Sequence, residues 1–339
     1  MSTVLITGTS GFIGRALAEA MSAQHEVLCM SRRNPELDLP WIRGQFGAFE
    51  DLRQLDDETI DAVIHLAAVK GGGSEREKVL VNVEGTRCLM RYLIDRGCKK
   101  FVLASSITAV GFQGTAFRPL QVPIPDEHPC LDRNGYGLSK FLMEEISKYC
   151  ARQADDIDVV NLRLCTVFPE DGLPPLKTVS PLPSVTYALG GLTVIAMPDA
   201  VRAFSLAAEA PLQPGVRILN AAGPKAWAAE PVADILRHWW GDAVDVAHFE
   251  RPGHEFDSVF TVDRIREELG FVARWLPENG GCGQTAGGIV LILDDALASG
   301  RTCLTCVSSK PMPWSHDRMP QSLVGRLEVR SGRRGYAAL

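Results

Sequence analysis

The sequence predicts an α/β fold, a doubly wound parallel sheet, and three observations predict it. Short apolar runs alternate with helical patterns along the first half of the chain. The runs are nearly all apolar, as parallel strands covered on both faces require. The first run passes through a glycine turn straight into a helix. With 339 residues, 46% of them hydrophobic, the chain is long enough to bury one large core or two smaller ones.

The first strand is Val4-Leu5-Ile6. Thr7-Gly8-Thr9-Ser10-Gly11-Phe12-Ile13-Gly14 follows it, and then the helical pattern Arg15 to Ala20. A strand–turn–helix junction presents free backbone N–H groups and the positive end of a helix dipole to an anion such as a pyrophosphate. Gly8 suits the tight turn, Gly11 lets the main chain approach phosphate, and Gly14 allows close helix–strand packing. Glycines three residues apart differ from the commoner G-x-G-x-x-G, and an ordinary loop is the competing reading.

Val27-Leu28-Cys29-Met30 is the second strand, and Ser31-Arg32-Arg33 follows it. An acidic residue near this point hydrogen-bonds a ribose 2′-OH, whereas arginine accommodates a 2′-phosphate with its planar fork. NADP is therefore expected ahead of NAD; a solvated arginine pair is the alternative. Ala62 to Ala68 reads as the next strand, with His65 as a satisfied core histidine. Gly71-Gly72-Gly73 beyond it is either a substrate loop or a plain flexible one. A helical pattern runs from Gly85 to Ile94, and Phe101-Val102-Leu103-Ala104 is a further strand. A second helical pattern runs from Tyr136 to Ala151, and Val159-Val160-Asn161-Leu162 is again a strand. Ligands on such sheets bind at the carboxyl ends of the strands.

Two segments at those ends carry chemistry. Ser105-Ser106-Ile107-Thr108 follows the Phe101 strand, and Tyr136-Gly137-Leu138-Ser139-Lys140 opens the second helix. Tyr136 and Lys140, four residues apart, share a helix face. A phenol titrates near 10, too high for a base at neutral pH, and a fixed ammonium nearby is expected to lower it. With a serine hydroxyl holding the substrate oxygen, these groups can remove a proton from an alcohol as hydride leaves its carbon, or run the reverse.

Composition narrows the class. The net charge of −6 argues against a nucleic-acid or anionic-membrane surface, and no apolar run is long enough to span a bilayer. The sequence enters a strand at once, so no signal peptide is expected. Nine cysteines without a framework spacing read as reduced thiols, so a cytoplasmic setting is expected. The expected partner is a small molecule; a homodimer is an open option.

The chain resembles the extended short-chain dehydrogenase/reductase family, also called the NAD-dependent epimerase/dehydratase family, over roughly residues 1 to 276. The matching segments include Thr7 to Gly14, His65 to Ala68, Asn82-Val83-Glu84-Gly85-Thr86, Ser105-Ser106, Pro125 to Pro129, Tyr136 to Lys140 and Asn161-Leu162-Arg163. Later landmarks are Asp199 to Ala203, Asn220 to Gly223 and Glu268 to Phe271. The resemblance implies a Rossmann-like dinucleotide-binding domain over 1–166. It implies a small C-terminal substrate-binding region over 167–276 that partly returns to the sheet. Residues 277–339 form an atypical extension.

By the same resemblance, Thr7, Gly8, Ser10, Gly11, Phe12, Ile13 and Gly14 cradle the pyrophosphate, and Arg32 and Arg33 face the adenosine ribose. Leu66, Ala67 and Ala68 line the cofactor. Ser106 is the catalytic hydroxyl, with Ser105 or Thr108 taking that place in a shifted register. Tyr136 is the acid/base, Lys140 binds the nicotinamide ribose and tunes Tyr136, and Val167 lies near the nicotinamide. Asn82 is expected to tie strands together.

Departures from the family's pattern matter. Gly44-Gln45-Phe46 stands where relatives often carry Gly-Asp-Leu, so Gln45 and Phe46 alter the adenine contact. Val167-Phe168-Pro169 replaces Val-Tyr-Gly-Pro, and the stretch up to Asp199 is short, with Lys177 its only cation. A smaller substrate than a nucleotide sugar is therefore admitted, although a nucleotide-sugar epimerase or dehydratase and a non-catalytic dinucleotide sensor remain alternatives. No metal is expected. A zinc reading of Cys303 and Cys306 with Cys282 and His316 lacks a second paired motif. Ile289 to Ala298 is the one possible element of the extension, and Trp239-Trp240 read as core or interface.

Overall fold

The computed structural model describes residues 1–111, 117–169 and 191–276, together with the two-residue strand Val290–Leu291. The strands in chain order are β1 (Thr3–Thr7), β2 (Glu26–Ser31), β3 (Trp41–Arg43), β4 (Ala62–His65), β5 (Lys100–Ser106) and β6 (Asp158–Leu164). They continue with β7 (Thr166–Phe168), β8 (Val194–Ala196), β9 (Gly215–Ala221), β10 (Trp275–Leu276) and β11 (Val290–Leu291). The helices are α1 (Phe12–Met21), α2 (Phe49–Leu52), α3 (Glu75–Lys78), α4 (Gly85–Ile94), α5 (Gly135–Ala151), α6 (Met197–Glu209), α7 (Val232–Trp240) and α8 (Asp263–Leu269).

Seven strands form one parallel sheet in the order β3-β2-β1-β4-β5-β6-β9. The chain leaves β1 toward β2 and β3, then crosses back to place β4 on the other side. Strand order therefore reverses between β1 and β4, where the carboxyl ends open a crevice. β7 and β8 form a separate parallel pair, and β10 pairs antiparallel with β11.

Alternation along each strand splits the core between the two faces. Val4 and Ile6 of β1 pack in one buried cluster with Leu17 of α1 and Phe204 of α6. Leu5 between them joins the opposite cluster with Phe101, Leu89 of α4 and Met143 of α5. At the amino ends of β5, β6 and β9, buried Asp158 accepts from Lys100 at 2.6 Å and from Arg217 at 2.8 Å. That pairing satisfies three charges that a strand interior otherwise excludes.

β4 stops at His65, three residues before the apolar run ends. The turn at Gly8 lies directly against the released segment, where a Cβ on Gly8 would sit 2.8 Å from the Ala67 nitrogen. β3 and β9 carry polar or short sequences without an apolar run, and pairing with β2 and β6 makes them strands. Trp239 is buried against Trp240, their rings edge to face at 5.6 Å. No helix among the described residues is long and apolar enough to cross a membrane.

Candidate active site

The glycine turn forms the floor of a groove at the β1–β4 crevice. Gly8 holds φ +81°, a left-handed conformation open to glycine at little cost. A Cβ on Gly14 would run into the Gly8 carbonyl, so only glycine lets α1 start this close to the turn. Gly11 is the N-cap of α1, and neither a side-chain cap nor a first-turn acid covers the helix end. Its N–H groups and dipole remain free for an anion.

Two adjoining cavities share Gly8, Gly11, Leu66 and Ala68. The first, about 520 Å³, is lined by Ser10, Arg32, Arg33, Gln45, Phe46 and Ala67 as well. The second, about 790 Å³, adds Phe12, Ile13, Gly14, Ser105, Ser106, Tyr136, Lys140 and Val167. Thus every residue named from the sequence as catalytic or cofactor-binding lines this groove except Thr7.

Thr7 stands behind the groove lining. It is fully buried, and its hydroxyl lies 2.7 Å from Nδ1 of His65. Strand alternation turns it into the core rather than toward the turn. Thr86 donates its hydroxyl hydrogen to the Asn82 carbonyl at 2.6 Å, so it accepts from His65 Nε2 at 3.0 Å and Thr7 donates to Nδ1. Burial draws His65 down to about 3, with the Lys140 charge adding to it. His65 is therefore the neutral, satisfied core histidine expected.

The candidate reacting groups come from two elements. Ser106 ends β5 and its Oγ accepts from the Thr108 N–H at 3.2 Å. Asn134 caps α5, accepting from the N–H groups of Tyr136 and Gly137 at 2.9 and 3.0 Å, which fixes the turn carrying Tyr136. A Cβ on Gly137 would strike Asp132 and the Thr108 carbonyl, so glycine lets α5 approach the end of β5. Lys140 Nζ lies 5.8 Å from the Tyr136 ring centre and donates to the Ala104 carbonyl at 2.6 Å.

Side-chain direction separates Ser106 from Ser105. Ser106 hydrogen-bonds Tyr136. Ser105 points to the other face and donates to Glu144 at 2.6 Å. The electrostatics differ from one expectation. Burial pushes the Tyr136 phenol up to about 12, opposed by the Ser106 bond, rather than down under the influence of Lys140. Burial also draws Lys140 down to about 8; Glu144 one turn later opposes this and Lys70 reinforces it. Tyr136 is accordingly a neutral phenol, able to donate a proton, across the neutral range.

Sequence reasoning passed over several groups. Lys70, Asn134 and Thr166 line the larger cavity. Lys70 lies just past β4, at the strand end where ligands bind, and that position was its available signal. Buried Glu144 accepts from Arg163 Nε at 2.8 Å and Nη2 at 2.9 Å. Its spacing of four from Lys140 was legible. Asn82 bonds Val69 and Ser139, not a pair of strands.

Among the described residues one group of metal-ligating side chains converges, His248, His254 and Asp257. Lys225 holds Asp257 at 2.7 Å and Arg251 meets His248 Nδ1 at 2.5 Å, so the group is closed by its own pairs. Cys282, Cys303, Cys306, His316 and Lys177 lie outside the described residues, as does Ile289 to Ala298 apart from Val290–Leu291.

Residues 4–180 match the model of the NAD dependent epimerase/dehydratase family. The chain is 28% identical over 183 residues to a UDP-glucose 4-epimerase of Cyamopsis tetragonoloba, covering 48% of this chain and 51% of that protein. It is 26% identical over 184 residues to a dTDP-4-dehydro-6-deoxyglucose reductase of Escherichia coli, covering 49% and 56%. The chain thus spans about half the length of these relatives. Its fold is similar to a short-chain dehydrogenase/reductase superfamily protein from Agrobacterium tumefaciens with bound NAD, at 22% identity and a TM-score of 0.61, covering 81% of this chain and 93% of that one. It is also similar to a UDP-glucose 4-epimerase from Thermotoga maritima with UDP-glucose, at 18% identity and a TM-score of 0.59, covering 82% and 96%.

Proposed function

Because the chain belongs to the NAD dependent epimerase/dehydratase family, we propose that it is an oxidoreductase using NADP, or NAD, on a hydroxyl or keto carbon of a sugar-like or other small substrate. The observation that carries this reading is the convergence of Ser106, Tyr136 and Lys140 at one end of a groove whose other end holds Arg32 and Arg33.

The groove fits a dinucleotide. Gly8 and Gly14 leave no room for side chains between the turn and the helix end, and that uncapped end suits a pyrophosphate. Arg32 and Arg33 would hold a 2′-phosphate; Glu36 nearby is engaged by Arg15 at 3.4 Å. Phe46, its ring edge-on to His65 at 4.6 Å, offers an apolar wall for adenine, and Val167 one for the nicotinamide. Bound there, the nicotinamide supplies or accepts the hydride.

The protein's own groups handle the proton and the substrate. Ser106 and Tyr136 hold the substrate oxygen between their hydroxyls. Tyr136, neutral at pH 7, donates its proton to that oxygen as a carbonyl becomes an alcohol. Lys140 keeps a positive charge beside the phenolate that remains and binds the adjoining ribose.

A second reading, an epimerase or dehydratase that retains NAD, is favoured by relatives such as the UDP-glucose 4-epimerase of Cyamopsis tetragonoloba. The test is to denature the purified protein, assay released dinucleotide, and follow NADPH absorbance with aldoses, ketoses and UDP- and dTDP-hexoses. Net NADPH consumption supports the oxidoreductase. Stoichiometric bound NAD with no net turnover would sink it in favour of the second reading.

A further inference from the structure

The chain that leaves β4 runs along the groove, where Val69 lines the smaller cavity and Lys70 the larger. The Lys70 side chain is exposed and makes no hydrogen bond or ion pair among the described residues. Gly71 and Gly72 follow it, and a Cβ on either would meet no atom within 4 Å. The glycine run therefore leaves bare main chain beside the lysine, with room for a ligand to reach the ammonium.

The charge at the catalytic end of the groove is one-sided. Among the described residues, the charged side chains lining the larger cavity are Lys70 and Lys140, with no carboxylate beside them. Lys140 is buried and donates to the Ala104 carbonyl at 2.6 Å. Lys70 lies near enough for its charge to add to the burial that draws the Lys140 ammonium down. An exposed cation so close to the reacting end favours an anionic group on the molecule that binds there. The pyrophosphate has a separate place, because Gly8 and Gly11 at the helix end line both cavities whereas Lys70 lines the larger one alone. No arginine lines the larger cavity among the described residues. One compact ammonium without a guanidinium fork matches a single negative charge better than it matches a phosphate.

We propose that Lys70 binds a carboxylate on the substrate, which makes the substrate class a sugar acid of the hexuronate kind rather than a neutral sugar. This rests on the oxidoreductase reading above. In the reductive direction the carbonyl carbon takes the hydride and its oxygen takes the Tyr136 proton. Water then reprotonates the phenolate. The carboxylate stays ionised beside Lys70, and none of its bonds changes.

The test uses pairs that differ at one carbon, glucuronate with glucose and galacturonate with galactose. NADPH absorbance follows each sugar with wild type, Lys70→Met and Lys70→Arg. Met keeps the length of an exposed side chain and removes its charge. Wild type should favour the acid of each pair at least about tenfold in kcat/KM, the size of one charged hydrogen bond, and added salt should narrow the preference. Lys70→Met should cut the preference about tenfold through KM for the acid, and Lys70→Arg should keep most of it. NADPH affinity of Lys70→Met, read by fluorescence, should stay within about threefold of wild type. Equal use of acid and neutral sugar by wild type, or equal losses for both in Lys70→Met, overturns the inference while the oxidoreductase reading stands. A loss of NADPH affinity as large as the loss for the acid assigns Lys70 to the cofactor's phosphates and overturns it too. If wild type consumes NADPH with no sugar, acid or neutral, and with no UDP- or dTDP-hexose, the oxidoreductase reading itself fails and the assignment fails with it.

Discussion

Replacing Lys140 with Met is expected to stabilise the fold while abolishing turnover. Lys140 is 3% exposed, and burial draws its ammonium from the ordinary 10.5 to about 8. At about 1.4 kcal/mol per pKa unit, that fall corresponds to roughly 3 kcal/mol by which burying the charged form opposes folding. Met fills the same volume without the charge, and the lost hydrogen bond to the Ala104 carbonyl offsets about 1 kcal/mol. The net gain at neutral pH is therefore about 2 kcal/mol.

The sign fixes the pH window. Below the folded value of about 8 both states carry the proton and the cost is complete. Between about 8 and 10.5 the unfolded chain holds the proton and the folded one does not, so wild-type stability rises with pH. The gap between wild type and Lys140→Met should shrink by about 2 kcal/mol from about pH 7 to about pH 9.5. Urea titrations of both proteins at the two pH values measure it, and their difference cancels groups common to both. A Met variant less stable than wild type at pH 7, or a gap that does not change with pH, would refute the reasoning.

Two further outcomes follow from the other parts of the groove. Replacing Arg32 and Arg33 with Ala should weaken NADPH about tenfold or more and NADH little, since each charged hydrogen bond to a 2′-phosphate is worth about 1.5–3 kcal/mol; titrations with the two cofactors check it, and equal effects refute the 2′-phosphate assignment. Gly14→Ala places a Cβ against the Gly8 carbonyl, so dinucleotide binding should fall at least about tenfold with a lower melting temperature, because main chain cannot yield as a side-chain tip can; unchanged binding counts against the cradle.

The groove was legible because its parts are local. Gly8 to Gly14, Tyr136 with Lys140, and the apolar runs of β1, β2, β5 and β6 each declare themselves by spacing within one element. What depends on partners distant in sequence was not legible. Arg217 makes β9 a strand interior only because Asp158 pairs with it. Thr7 reads as part of the glycine turn until His65, 58 residues away, takes its hydroxyl. The phenol of Tyr136 followed burial rather than its lysine, and burial is set by the whole fold. Asn82 reaches Ser139 across 57 residues, a link that no local pattern contains.

The central claim is that Tyr136 moves a proton while its groove supports net hydride transfer. Deuterium transfer from NADPH labelled at C4 tests it most directly, in wild type and in Tyr136→Phe, with the products of aldoses, ketoses and UDP- and dTDP-hexoses read by mass spectrometry. The account predicts deuterium on a product carbon and oxidised cofactor in equal amount for wild type. For Tyr136→Phe it predicts unchanged NADPH binding and transfer slower by at least about a hundredfold. Absence of labelled product from every substrate, or wild-type transfer by the Phe variant, would contradict it.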